Sequence, residues 1–402
     1  MRDVVVTGIG ATTPLGGDAP ATWAAMLANE SGVRALDAEW AEELPVRLGA
    51  PLRVEPSTTL DRVTARRMDR CEQIALVSAR EAWADAGRPE VEPERLAVVV
   101  GTGVGGVLTL LGQNEVLQRS GPRRVSPHAV TMLMPNGPAA WVSLELGARG
   151  GARTPVSACA SGAEAIAMGL DLIRLGRADV VVAGGAEACL HPLPLAAFAQ
   201  ARTLSRRNDD PEGASRPFDV GRDGLVLGEG AAMVVLERAE FARARSARVH
   251  GVLAGAGLTS NAYDIVASEA SDQARAMRLA LASAGLRPED VDHVHAHATS
   301  TQHGDPVEAQ AITEAVGKHA AVTATKSMTG HLLGASGALG AISALLALRD
   351  GVVPATRNLE ELDPQVDLDV VRDKARHGDW RAALANSFGF GGHNVCLAFT
   401  RA

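Results

Sequence analysis

The stretch Thr154-Pro-Val-Ser-Ala-Cys-Ala-Ser-Gly-Ala-Glu-Ala-Ile166 decides how the rest of this chain is read. A short β-prone run ends at Cys159, small residues follow from Ala160 to Ala163, and a helical pattern continues to about Leu175. That order predicts a cysteine on a strand-to-helix turn. At a helix N-terminus, free N–H groups and the positive end of the dipole favour thiolate over thiol. Small neighbours leave room for a substrate beside the sulfur, and free N–H groups to face an oxyanion. Taken alone, such a cysteine is more often a buried structural one.

The 402 residues suffice for two ordinary domains or one large intertwined one. Hydrophobic residues make up 46% but aromatics only 3%, so the core must be closely packed backbone with small side chains, as in layered α/β proteins. The net charge of −8 argues against a general nucleic-acid binder. Cys71, Cys159, Cys189 and Cys396 are widely spaced and form no CxxC. They make neither a disulfide framework nor a zinc knuckle, and they suit a reducing cytoplasm. The apolar run in Met1-Arg2-Asp3-Val4-Val-Val-Thr-Gly-Ile-Gly10 is too short for a signal peptide or a membrane span. A soluble cytoplasmic protein without membrane association is expected.

Outward from Cys159, strands are predicted at 4–6, 96–100, 179–185 and 231–237, the first three running into glycine turns. Helices are predicted at 22–27, 64–86, 107–118 and 136–147, with loops over 35–60 and 203–227. The pattern then begins again. Val252–Gly257 echoes Val4–Gly10, and the Ser-Ala-Gly ending at Gly285 echoes the Asp-Ala-Gly ending at Gly87. Pro288–His297 repeats the layout of Pro93–Thr102, and Val322–Thr325 with the turn 326–334 and the helix 335–349 mirrors the strand, turn and helix of Cys159. The chain therefore reads as two related halves, 1–250 and 251–402, with a site where their strand ends meet.

His293, His295 and His297 alternate along a predicted strand and would share one face. With His303 and Asp305 behind them they suggest a zinc or iron site, yet no second ligand cluster accompanies them. His331 holds the place in half two that Cys159 holds in half one. A helix N-terminus there would keep its imidazole neutral and able to donate a hydrogen bond. Gly101-Thr-Gly-Val-Gly-Gly106 formally matches a dinucleotide fingerprint, but no acidic strand end follows about 20 positions on. Tight strand-to-loop packing explains it better.

Four motifs occurring together in order carry a resemblance over essentially the whole chain. They are Val156-Ser-Ala-Cys-Ala-Ser-Gly162, His295-Ala-His-Ala-Thr-Ser-Thr301 with Gly304-Asp305, Thr325-Lys-Ser-Met-Thr-Gly-His-Leu-Leu-Gly334, and Asn386-Ser-Phe-Gly-Phe-Gly-Gly-His-Asn394. The chain resembles the ketosynthases of the beta-ketoacyl-ACP synthase II type, with actinobacterial-like ends. The resemblance implies an α/β thiolase fold, five-layered α-β-α-β-α. It also implies decarboxylative condensation of an enzyme-bound acyl thioester with malonyl carrier protein, and no cofactor beyond the phosphopantetheine of that carrier.

By this resemblance Cys159 takes the acyl group, while His297 and His331 stabilise an enolate. Lys326 acts electrostatically in a network with Glu308, and Asp305 supports it. Thr299 and Thr301 bind the pantetheine arm. Phe390 gates the site and shares the oxyanion with the Cys159 N–H. Val104 and Ala129 stand at acyl-pocket positions where larger residues are usual, implying a deeper or wider pocket. Arg66, Arg67, Arg123, Arg124 and Arg202 match a basic patch for an acidic carrier protein. Two departures stand out: Gly340 replaces a glutamate common nine residues after the second histidine, and Ala298 replaces a glycine. The intact Cys159 leaves two settings. One is fatty acid elongation by a homodimer; the other is polyketide elongation beside a cysteine-less chain-length factor. A zinc hydrolase built on the three-histidine strand is the reading of another class.

Overall fold

Fully buried apolar runs such as Leu96–Gly101 and Val180–Glu187 can only be strands covered on both faces, and the computed structural model, which describes residues 3–402, shows how they are covered. Met1 and Arg2 of the N-terminal run lie outside the described residues. The main sheet holds eleven strands: β1 (Val4–Thr12), β2 (Leu96–Gly101), β3 (Ala152–Arg153), β4 (Val180–Glu187), β5 (Gly230–Arg238), β6 (Gly251–Ser260), β7 (His293–His295), β8 (Ala321–Thr323), β9 (Asp369–Val370), β10 (Ala382–Gly389) and β11 (His393–Thr400). Their spatial order is β9-β8-β7-β10-β11-β6-β1-β5-β4-β2-β3. Outward from the centre, each side runs first, last, next-to-last, second, third: β1-β5-β4-β2-β3 on one side and β6-β11-β10-β7-β8 on the other, where β9 adds one more strand at the edge. The two sides join where Val5 pairs with Val252 and Val6 with Gly251.

Five helices position the site: α1 (Arg70–Asp85), α2 (Ser161–Arg174), α3 (Ala270–Ala284), α4 (Gly304–Ala315) and α5 (Ser336–Asp350). Helices α2 and α5 pack on each other and on strands of both sides. Helix α1 covers the outer face of β1, β4 and β5, and α3 covers β6 and β11. The result is a helix–sheet–helix–sheet–helix stack. Small residues make it possible. A Cβ on Gly8 would lie 2.1 Å from the Ala82 carbonyl, so α1 sits directly on the backbone of β1. The apolar stretch Leu333–Asp350 has the length and composition of a membrane span, but 89% of it is buried in this core.

Local chemistry moves several predicted boundaries. The predicted 64–86 helix is two, Arg62–Ala65 and α1, because Asp69 caps α1 with a capping box closed by Glu72. The 35–60 loop contains a small pairing of Arg34–Ala35 with Leu48–Gly49 and two 3-10 turns. The strand before Cys159 ends at Arg153 rather than at the cysteine; Pro155 has no N–H to extend a ladder. Likewise β7 ends at His295, so His297 lies beyond it.

Candidate active site

Cys159 sits in a 3-10 turn, Ala158–Ala160, that runs straight into α2. Ala158 just before it has φ 51°, a strained conformation for a residue with a Cβ. Ser387 Oγ donates to the Cys159 carbonyl at 2.9 Å. A Cβ on Gly389 would meet the Ser157 carbonyl at 2.4 Å, so β10 presses directly on the turn. The N–H groups of Cys159 and Phe390 face the sulfur. Burial nevertheless pushes the thiol up to about 11, against the pull of Lys326 and with a further push from Glu187. The expected resting thiolate is therefore corrected: desolvation outweighs the helix terminus.

His331 meets this sulfur, with Nε2 3.0 Å from Sγ. Its ring is not at a helix N-terminus, since α5 begins five residues later. The imidazole stays neutral because burial, and then Lys326, lower its pKa well below the usual value. Ser336, the first residue of α5, reaches back to Nδ1 at 2.9 Å and accepts the Leu332 N–H at 2.8 Å. Because that hydroxyl can accept from Nδ1–H or donate to a bare Nδ1, it accommodates either tautomer of His331.

His297 is the second imidazole, its ring centroid 5.5 Å from that of His331 and edge-on to it. Burial and then Lys326 hold it neutral as well. The Glu308 carboxylate accepts the N–H groups of His297 and Ala298 at 2.8 and 2.6 Å and the Asn386 amide at 3.0 Å. Lys326 Nζ donates to the His297 carbonyl at 2.5 Å and lies 3.4 Å from Nδ1. Lys326 and Glu308 thus both hold the His297 backbone, joined through it rather than by a direct bond, and this gives the expected network its form. Burial brings Lys326 down to about 8. Asp305, raised to about 7 by burial, accepts from Phe218 and Thr301 N–H and ties the 203–227 loop to the pocket.

A cavity of about 370 Å³ opens from this cluster to the surface. Thr299 and Thr301 line it with their hydroxyls 3.2 Å apart, and the half-exposed Phe390 stands beside Cys159. Gly391 and Gly392, at φ 89° and 75°, follow Phe390 and give its loop conformations that other residues resist. Arg202 lies on the rim. With Arg206 it also borders a shallow neighbouring depression, and sequence reading passed over Arg206. Arg66, Arg67, Arg123 and Arg124 are exposed but line neither cavity. Val104 and Ala129 are also outside the cavity lining: Val104 is 48% exposed and Ala129 is buried elsewhere.

The three-histidine metal strand does not assemble. His293 Nδ1 is taken by the Ala321 carbonyl, His295 Nε2 pairs with Thr325 Oγ1, and only His297 enters the cavity. Cys159, His297 and His331 do bring their ligand atoms within 4.8 Å of one another. The buried Lys326 beside them opposes a cation. Gly340 also finds its reason here. A Cβ at that position would lie 2.8 Å from His295 Nδ1, so the His295 ring fills the space a side chain on α5 would need. Ser336 is the residue sequence reading missed; a serine five positions after His331, at the start of an Ala/Gly helix, was the available signal.

A buried thiol, two neutral imidazoles and a lysine gathered where two similarly ordered α/β units meet mark a condensing acyltransferase with a thiolase fold. The chain belongs to the beta-ketoacyl synthase family: residues 1–242 match the family's N-terminal domain and residues 250–360 its C-terminal domain. It is 48% identical to 3-oxoacyl-[acyl-carrier-protein] synthase 2 of Mycobacterium tuberculosis, over 99% of this chain and 97% of that one. It is 42% identical to the enzyme of the same name from Synechocystis, over 100% and 98%. Among solved structures it is similar to the ishigamide ketosynthase/chain length factor, with a TM-score of 0.94 at 33% identity over 100% and 99% of the two chains. It is also similar to a type II polyketide ketosynthase solved with its acyl carrier protein, with a TM-score of 0.91 at 28% identity over 100% and 99%.

Proposed function

We propose that this chain extends acyl groups by two carbons in fatty acid biosynthesis, taking both substrates from acyl carrier protein in the cytoplasm. The observation that carries the reading is the convergence of His297 and His331 on the Cys159 sulfur with Lys326 behind them. In the first half-reaction the sulfur attacks the carrier-bound acyl carbon while His331 Nε2 takes the thiol proton. The N–H groups of Cys159 and Phe390 hold the oxyanion. The bond to the pantetheine sulfur breaks, and that sulfur recovers the proton.

In the second half-reaction malonyl carrier protein loses carbon dioxide, and the enolate oxygen receives hydrogen bonds from Nε2–H of both histidines. The Lys326 ammonium donates to His297 Nδ1, and the Ser336 hydroxyl donates to His331 Nδ1. The enolate carbon attacks the acyl group on Cys159, whose sulfur leaves and regains a proton from water. Thr299 and Thr301 hold the pantetheine arm, and Phe390 moves to admit it. Asp305 and Glu308 fix the loop that carries these residues. This chemistry calls on no separate cofactor.

Arg202 at the rim supports docking of an acidic carrier. The molecule also leaves Leu110, Val130, Leu144 and Val156 exposed, the last of these near the edge strand β3, a surface suited to a second subunit. That subunit is a second copy in the fatty acid reading. Likeness to the ishigamide ketosynthase/chain length factor favours one alternative, polyketide elongation beside a cysteine-less partner.

Mass spectrometry of the enzyme with acyl and malonyl carrier proteins should show an acyl adduct on Cys159, then a 3-oxoacyl product two carbons longer. Absence of both with short and long primers defeats the reading. Co-purification of a distinct homologous subunit from the native host would transfer the assignment to the polyketide setting.

A further inference from the structure

Glu187, the last residue of β4, is fully buried, and no arginine or lysine among the described residues lies within ion-pairing distance of it. Burying a carboxylate without a cation is costly. Every group that meets it can donate: Thr102 Oγ1 at 3.0 Å, Gly103 N–H at 2.6 Å, Val104 N–H at 3.2 Å and Gly334 N–H at 3.1 Å. Three of these are backbone N–H groups with no lone pair to receive a carboxyl proton, so they favour the ionised form against burial, which raises the Glu187 pKa.

The four donors come from two places. One is the loop after β2, and the other is the turn between His331 and α5. Each touches the catalytic cluster. Ser161 Oγ joins the Thr102 carbonyl to the cysteine turn at 3.1 Å. The Gly334 carbonyl packs so closely on α2 and β4 that a Cβ on Gly162 or Gly185 would stand 2.6 or 2.2 Å from it. Leu333, between His331 and α5, has φ 42°, a strained value that persists only where its surroundings over-determine it. The His331 N–H bond to Val226 holds one side of that strain, and Glu187 holds the other.

We propose that Glu187 is a positioning residue: by pinning the 102–104 loop and the Gly334 turn to one carboxylate, it sets His331 against the Cys159 sulfur. The proposal rests on the condensing reading for its kinetic arm only. Glu187→Gln is the direct test. It conserves size, but whichever way the amide turns, its NH2 group faces at least one backbone N–H.

With acyl carrier protein as substrate, kcat for acylation of Cys159 should fall on the order of 10²-fold, the scale of a misplacement of about 1 Å, with KM little changed. Iodoacetamide alkylation of Cys159, followed against pH, supplies a readout that a merely structural role does not move. The titratable groups around the sulfur are Lys326, His297, His331, Cys189 and Glu187, and only the last changes. Removing its charge should move the alkylation profile to lower pH. Wild-type kcat with a wild-type profile overturns the proposal, and so does a lowered melting temperature with both unchanged. Should Glu187→Gln fail to fold, Thr102→Val removes one donor and keeps the charge. It should lower kcat several-fold, and an unchanged kcat there also overturns the proposal. If the wild-type enzyme makes no 3-oxoacyl product, the functional reading fails while the alkylation comparison still judges Glu187.

Discussion

Two turns at corresponding places in the repeated strand order do different work. The turn at Cys159 runs without interruption into α2, so the reacting residue sits beside free N–H groups. The turn at His331 wanders five residues before α5 starts, so the first helical residue, Ser336, can reach back to the imidazole. The first arrangement supplies donors for an oxyanion. The second supplies a proton-carrying side chain whose far nitrogen is held. Distance from the helix start, rather than the helix itself, separates a nucleophile from a proton handler. Both turns contain a non-glycine residue at positive φ, Ala158 and Leu333, so both are held under strain by their neighbours.

The sharpest way to break this contrast is to delete each imidazole. His297→Ala and His331→Ala should each lower condensation about 10²–10³-fold, the usual loss for one donor to a developing oxyanion. Only His331 touches sulfur. Transfer of an acyl group to Cys159 should therefore be slowed strongly by His331→Ala and mildly by His297→Ala, as read by the rate of adduct formation. Equal slowing by both would erase the distinction between the turns.

A pH profile probes the same contrast less drastically. Burial lowers Lys326 to about 8 and raises Cys159 to about 11. As pH rises through about 8 the lysine loses the proton it donates toward His297, so condensation should decline by up to about tenfold per unit above that point. Cys159 remains a thiol over that range, and acyl transfer should not fall with it. A parallel fall in both steps would show that the lysine does not act on the histidine half alone.

Much of this site could be read before any coordinates existed. Cys159, His297, His331 and Lys326 lie in motifs whose order carried the family, and the repeated spacing foreshadowed two similarly ordered sets of strands. What escaped reading was fixed by contacts between residues far apart in the chain. The thiol's high pKa comes from burial in a turn that β10 presses on, which no window around Cys159 contains. Lys326 and Glu308 were legible as one network, but not that folding joins them through the His297 backbone, whose carbonyl takes Lys326 and whose N–H goes to Glu308. Gly340 looked like a lost acid until His295, 45 positions away, was found filling its space. Val104 and Ala129 were given pocket roles by resemblance, Ala129 beside a partner subunit, and neither lines the cavity of the single chain.

Ser336 gives the finest test of the contrast, because the cysteine turn has no counterpart to it. Its hydroxyl accepts the Leu332 N–H and faces His331 Nδ1, so its own proton is free to hold Nδ1 bare and keep the proton on Nε2. Ser336→Ala leaves His331 in contact with the sulfur but without that partner. Losing one hydrogen bond of about 0.5–1.5 kcal/mol predicts a drop of up to about tenfold. The loss should fall on condensation, where Nε2–H must face the enolate. Acyl transfer, in which Nε2 receives a proton, should change less. Measuring the two half-reactions separately decides the point. A selective loss of condensation assigns the second turn to tautomer control, whereas equal losses mean that Ser336 serves only to shape the turn.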